Sequence, residues 1–172
     1  MQEFKLDKKY VIGYWITLST YFITFVVLLV TMCYSFNAPL ENPWARRIGF
    51  VIMLAGWGIW YFGRRKLGHE SIDIDPLGEL TRLVIYRGKK TIRRTHKEIV
   101  ETGIYKITRH PQYWGTVIFY IGLSLALASL PALAVSIVLV LPAHIWRAAA
   151  EERMLGRIYG EKYNDYKRKV KL

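Results

Sequence analysis

The sequence predicts an all-α integral membrane protein. It reads as a single membrane domain over residues 1–172, with about four transmembrane helices, a basic cytoplasmic connector, a C-terminal helical hairpin and an amphipathic C-terminal helix. Three observations carry this reading. Apolar residues make up 52% of the chain, yet charges are segregated rather than mixed through it. Uncharged runs reach 25 and 36 residues, over 10–34 and 111–146. The cationic excess, 25 Lys and Arg against 13 Asp and Glu, borders those runs, as a positive-inside membrane protein requires.

The first span is residues 10–34, long enough as a helix to cross a hydrocarbon core of about 30 Å. It is too long for a signal peptide, and no small-residue cleavage site follows it. Tyr10, Tyr14, Trp15 and Tyr34 stand at its ends as interfacial aromatics. The loop at 35–43 has no Lys or Arg, and Pro39 and Pro43 disfavour a helix there. A second span covers 44–63. Its uncharged core, 48–63, is only 16 residues and needs its flanks to cross. Gly49, Gly56, Gly58 and Gly63 offer smooth surface for close helix approach, and Arg46 and Arg47 snorkel at its far end.

The cytoplasmic connector is 64–110, with twelve Lys and Arg and six Asp and Glu over 64–109. Within it, 83–86 and 91–95 fit either a small hairpin or a helix. A single helix over 111–146 would be about 54 Å long, more than a bilayer needs. Ser129, Leu130 and Pro131 therefore mark a turn between spans at 111–129 and 131–147. Pro142 kinks the second arm and frees a carbonyl. Residues 148–170 form a helix broken near Gly160. Its side bearing Ile158, Tyr159, Tyr163 and Tyr166 lies along the membrane surface. Four spans make a multi-pass protein with both termini on the Lys-rich, cytoplasmic side. In a prokaryotic cell the membrane is the plasma membrane.

Composition also narrows the chemistry. Cys33 is the only cysteine, so neither a disulfide nor a cysteine metal site forms within one chain. No His, Cys or carboxylate set has metal-site spacing, so no metal is expected. Phosphate-loop, dinucleotide and nucleophile-elbow motifs are missing from the sequence. The cations border apolar spans, which points to anionic headgroups rather than nucleic acid. Two polar clusters lie at the cytoplasmic mouth. One is Arg109, His110, Pro111, Gln112 and Tyr113. In the other, His144, Arg147 and Glu151 share a helical face with Glu152 beside it. The hairpin turn brings the two clusters together. Residue type alone leaves two readings open, an interfacial anchor or the floor of a site.

The run IVETGIYKITRHPQYWG, the apolar hairpin and EERMLGRIYGEKYNDYKRKV together resemble the membrane methyltransferase superfamily, of isoprenylcysteine carboxyl methyltransferase and phospholipid N-methyltransferase type. Ile99, Val100, Gly103, Tyr105, His110, Pro111, Tyr113, Glu151, Glu152, Gly160, Tyr163 and Tyr166 carry the likeness. It implies transfer of a methyl group from S-adenosyl-L-methionine to a membrane lipid or lipidated acceptor, a phospholipid amine or a prenylcysteine carboxylate. It also implies a cytoplasmic cofactor site made by Lys97, Glu98, Ile99, Val100, Tyr105, His110, Pro111, Gln112, Tyr113 and Glu151. Arg147 faces the acceptor on the same grounds, with Arg109 assigned beside it. An amine acceptor must lose a proton, for which Glu152 or His144 is the expected base. The alternatives are a sterol-type lipid reductase using a nicotinamide cofactor and a non-catalytic scaffold binding anionic lipid.

Overall fold

A computed structural model describes residues 8–34, 42–67 and 99–171, the side chains of 8–11, 33 and 34 aside. The expected hairpin or helix at 83–95, Lys97 and Glu98 lie outside the described residues. Within them every regular element is helical: α1 (Lys8–Tyr34), α2 (Pro43–Leu67), a 3₁₀ turn (Gly103–Lys106), α3 (Pro111–Ala126), α4 (Leu130–Tyr159) and α5 (Glu161–Lys169). Two stretches are long and apolar enough to cross a bilayer, Ile12–Met32 and Leu130–Tyr159. By contrast α3 has 16 residues, or about 24 Å of rise, and α2 carries Arg46, Arg47, Arg64 and Arg65 towards its ends. Phe22, Phe25, Val51, Phe62 and Val138 are each more than half exposed. Such outward apolar side chains suit contact with hydrocarbon.

A glycine seam joins α2 to α3. Gly49, Gly56 and Gly63 recur every seven residues on α2, as do Gly115 and Gly122 on α3. A Cβ on Gly115 would lie 2.5 Å from the Trp60 nitrogen, and one on Gly122 would lie 2.6 Å from the Met53 Cα. The obstacles are backbone atoms that no rotamer change can clear. Small residues thus let the helices meet backbone to backbone, where dispersion contacts are densest. Gly58 points elsewhere, with nothing within 4 Å of an added Cβ. At the far end of the seam, Arg46 Nε donates to the Ala126 carbonyl at 3.2 Å. This arginine caps the C-terminus of α3, where a cation is favoured, in addition to any snorkelling.

Helices α1 and α4 are joined by polar contacts instead. Thr17, Thr20, Thr24 and Thr31 are buried along one side of α1. Thr31 Oγ1 lies 2.9 Å from Ser129 Oγ, and Tyr21 Oη lies 2.5 Å from His144 Nε2. Gly13 gives room to Trp146, whose ring would sit 3.3 Å from an added Cβ.

The α3–α4 turn falls slightly before its expected place. Leu127, Ala128 and Ser129 make it, with Ala128 at φ 54° and the Ser129 N–H bonded to the Ser124 carbonyl at 2.8 Å. Ser129 caps α4 by accepting from the Ala132 N–H at 3.2 Å. Leu130 and Pro131 are therefore the first turn of α4, where proline's missing N–H is harmless. Pro142 is accommodated by one π turn, Ser136–Val140, directly before it.

The C-terminal region differs from the expected interfacial helix over 148–170. α4 continues unbroken to Tyr159. Gly160, at φ 56°, then reverses the chain into α5. Tyr163 and Tyr166 of α5, with Val170 just after it, pack on Ile99, Leu155 and Tyr159. Tyr163 and Tyr166 are thus spent on the protein interior.

Gly115→Val should lower the thermal midpoint of the detergent-solubilised protein, with an overpacking cost of about 1–3 kcal/mol or more. Gly58→Ala should leave the midpoint unchanged or slightly raised. Equal effects of the two substitutions would contradict the seam.

Candidate functional site

The site is built where three stretches converge: the turn before α3, the outer half of α4, and α5. Pro111 opens α3 with its φ already suited to a helix. His110 is the residue before it, and its carbonyl accepts from the N–H groups of Tyr113 and Trp114 at 3.1 and 3.2 Å. One turn apart, the rings of His110 and Tyr113 stack with centroids 5.4 Å apart and 2° between planes.

Across from them, Glu151 accepts from Tyr113 Oη at 2.6 Å, and His110 Nδ1 lies 3.6 Å from the same carboxylate oxygen. Glu152 turns to the other side of α4. It meets Arg109 Nη2 at 2.7 Å and Lys167 Nζ at 2.7 Å, with His110 Nε2 3.4 Å away. Arg109 is shared further, its Nη1 donating to the Lys167 carbonyl at 3.2 Å. Tyr166 Oη donates to the Tyr105 carbonyl at 2.7 Å. The two adjacent carboxylates thus tie α5 and the pre-α3 turn to α4.

His110 sits between both carboxylates. Burial by itself would lower its pKa, but hydrogen bonding and charge attraction from Glu151 and Glu152 outweigh burial and raise it from 6.5 to about 9. At neutral pH it is an imidazolium, with a proton on each ring nitrogen and a carboxylate within 3.4–3.6 Å of each.

Arg147 lies one turn before Glu151. Its guanidinium carbon is 5.0 Å from the Tyr113 ring centre and 5.0 Å from that of Tyr14. The cation is held between two aromatic faces.

These groups surround a cavity of about 830 Å³, counted with its open mouth. Ile99, Val100, Tyr105, Arg109, His110, Pro111, Gln112, Tyr113, Arg147 and Glu151 line it. The buried Gln112 Nε2 has no hydrogen-bond partner among the described residues, so a donor stands available in the wall.

Glu152 and His144, the expected bases, do not line this cavity. Glu152 is engaged by Arg109 and Lys167, which removes it from the role of a free base. His144 borders a separate apolar pocket with Trp114 and Leu141. Its Nδ1 lies 2.8 Å from the Val140 carbonyl and its Nε2 faces Tyr21 Oη. Nδ1 must therefore carry the proton, leaving Nε2 occupied as the acceptor. Leu67, Leu155, Tyr159, Tyr163 and Tyr166 line the cavity although sequence reasoning did not assign them to it. The reversal at Gly160 is what brings Tyr163 and Tyr166 to it. Tyr14 was likewise read as an interfacial aromatic only. Among the described residues no group of three or more His, Cys, Asp or Glu could hold a metal ion.

Residues 79–162 match the family model of phospholipid methyltransferases. The chain is also similar to protein-S-isoprenylcysteine O-methyltransferase B of Arabidopsis thaliana, with 32% identity over 107 residues, covering 55% of this chain and 52% of that protein. The chain thus spans about half the length of the curated relative it matches. No solved structure matches it.

The raised His110 pKa gives a signed expectation. Its folded value lies above the unfolded 6.5, so its stabilising contribution is full below 6.5 and is lost as pH rises through about 9. The difference in thermal midpoint between the native chain and His110→Gln should shrink steadily across that window. A difference that stays constant or widens would mean that the imidazolium is not held by the two carboxylates.

Proposed function

We propose that this chain belongs to the membrane methyltransferase superfamily, with which it shares the matches above, and that it transfers a methyl group from S-adenosylmethionine to a lipid-like acceptor drawn from the bilayer. The observation that carries the reading is Glu151, held by Tyr113 and His110 on the cavity wall, with Arg147 one turn away.

The residues present fit the cofactor. Glu151 and the faces of Tyr105, Tyr113, Tyr159 and Tyr163 suit cationic sulfonium and ammonium groups and a stacked purine. The His110 imidazolium and the unpartnered Gln112 amide suit a carboxylate. Ile99, Val100 and Pro111 add apolar wall. Lys97 and Glu98 complete the proposed set on the likeness to the family. When bound, S-adenosylmethionine supplies an electrophilic methyl group on a sulfonium.

What remains for the protein is alignment and exclusion of water, which for an in-line displacement is most of the task. Arg147 is directed by two tyrosine rings and orients the acceptor, as a carboxylate or through a headgroup phosphate. A prenylcysteine carboxylate acceptor needs no base. The fork of Arg147 favours that acceptor, in keeping with the name of the plant relative. A phospholipid, the substrate named in the family model's description, would as an amine acceptor lose its proton to water at the open mouth.

In this reading all four long helices cross the membrane, α2 and α3 as a glycine-locked pair. The termini and the cavity mouth then face the cytoplasm by the positive-inside rule.

Calorimetry on the purified chain in detergent tests the proposal. S-adenosylmethionine should bind, and Glu151→Gln should weaken binding by about ten- to a hundredfold, the loss of one charged hydrogen bond. No binding, or the same affinity in Glu151→Gln, would refute the assignment. Tight binding of a reduced nicotinamide cofactor would refute it in favour of a reductase.

A further inference from the structure

Away from the cavity, one surface patch presents cations around an exposed aliphatic side chain. Ile107 is 77% exposed, more than any other large hydrophobic among the described residues. It follows the 3₁₀ turn that ends at Lys106, itself exposed. The end of α5 returns alongside. The Arg109 N–H donates to the Lys171 carbonyl at 3.3 Å, and Arg109 Nη1 to the Lys167 carbonyl at 3.2 Å. Lys169 and Lys171 are therefore brought to the level of Ile107, both of them exposed. No ion pair engages Lys106, Lys169 or Lys171 among the described residues.

The height of the patch is fixed by Pro111, four residues beyond Ile107, where α3 and the uncharged run of 111–146 begin. The patch thus stands at the border between apolar and polar surface. The apolar residues of α5 are already buried in the protein, so its lysines do not serve an independently adsorbed helix. The hydrogen bonds of Arg109 to the Lys167 and Lys171 carbonyls hold this end of the chain beside that border. Exposed lysines beside one exposed aliphatic side chain at that border match an anionic headgroup above an acyl chain.

We propose that Lys106, Ile107, Lys169 and Lys171 form a binding site for an anionic phospholipid of the surrounding bilayer. The ammonium groups meet its phosphate, and Ile107 enters the boundary of its acyl chains. The site is separate from methyl transfer and stands whether or not that reading holds.

The test reconstitutes the full chain in nanodiscs of phosphatidylcholine with about 30 mol% phosphatidylglycerol, and counts retained lipid by native mass spectrometry. The native chain should retain phosphatidylglycerol over phosphatidylcholine by about tenfold, with the preference falling at high salt. The triple variant K106Q/K169Q/K171Q should lose most of that preference, and Ile107→Ser should weaken it. A triple variant with arginines instead should keep it. The substituted side chains are exposed and lie outside the cavity wall, so thermal midpoints should stay the same. Equal retention of the two lipids by the native chain, or an unchanged preference in the glutamine variant, would overturn the proposal.

Discussion

Two neighbouring carboxylates hold the C-terminal half of this protein together. Consecutive residues on a helix point about 100° apart, so Glu151 and Glu152 serve different partners from one turn of α4. Glu152 gathers Arg109 and Lys167 and so joins α5 to the segment before α3. Glu151 gathers Tyr113 and His110 and faces the cavity. Burying these charges is tolerable only because each has close partners, and removing one partner of such a pair leaves an uncompensated charge. The His110 imidazolium between them belongs to both networks. The structural tie and the chemical wall are therefore one electrostatic unit.

The membrane-facing part solves a different problem. Apolar side chains gain little by leaving lipid for one another, so helix pairing must come from close packing or from polar contacts. The protein uses both. The seven-residue glycine repeat seats α2 on α3, while on α1 Thr31 meets Ser129 and Tyr21 meets His144. Both pairings end at the cavity, because Gly63 abuts Pro111 and Gln112 while Gly13 lies beside Trp146 and the Arg147 backbone. The lipid-facing helices thus set the positions of the first residues of α3 and of Arg147.

Much of this is legible in the sequence. Uncharged length located the helices, and the 36-residue run without Lys, Arg, Asp or Glu required a hairpin. That hairpin puts His110 near Glu151, as the 3.6 Å approach of the two confirms. Helical spacing put Arg147 and Glu151 on one face. Three things were hidden. Pro131 looks like a turn residue, but proline is equally at home in a helix's first turn, so the turn was placed slightly late. Tyr163 and Tyr166 give α5 an apolar side that periodicity detects but cannot assign to lipid or to protein. The positive φ at Gly160 decides it. Glu152 and His144 looked like free polar groups near the site, since sequence shows neither Lys167 returning to the first nor Tyr21 reaching the second.

The central claim is that the cavity beside Glu151 passes a methyl group to an acceptor in the bilayer. Membranes containing the chain, incubated with methyl-labelled S-adenosylmethionine and extracted with organic solvent, test it most directly. The account predicts label in the lipid or lipidated-peptide fraction, absent from membranes carrying Glu151→Gln. A lipid fraction without label from the native chain, under conditions where the cofactor is bound, would contradict it.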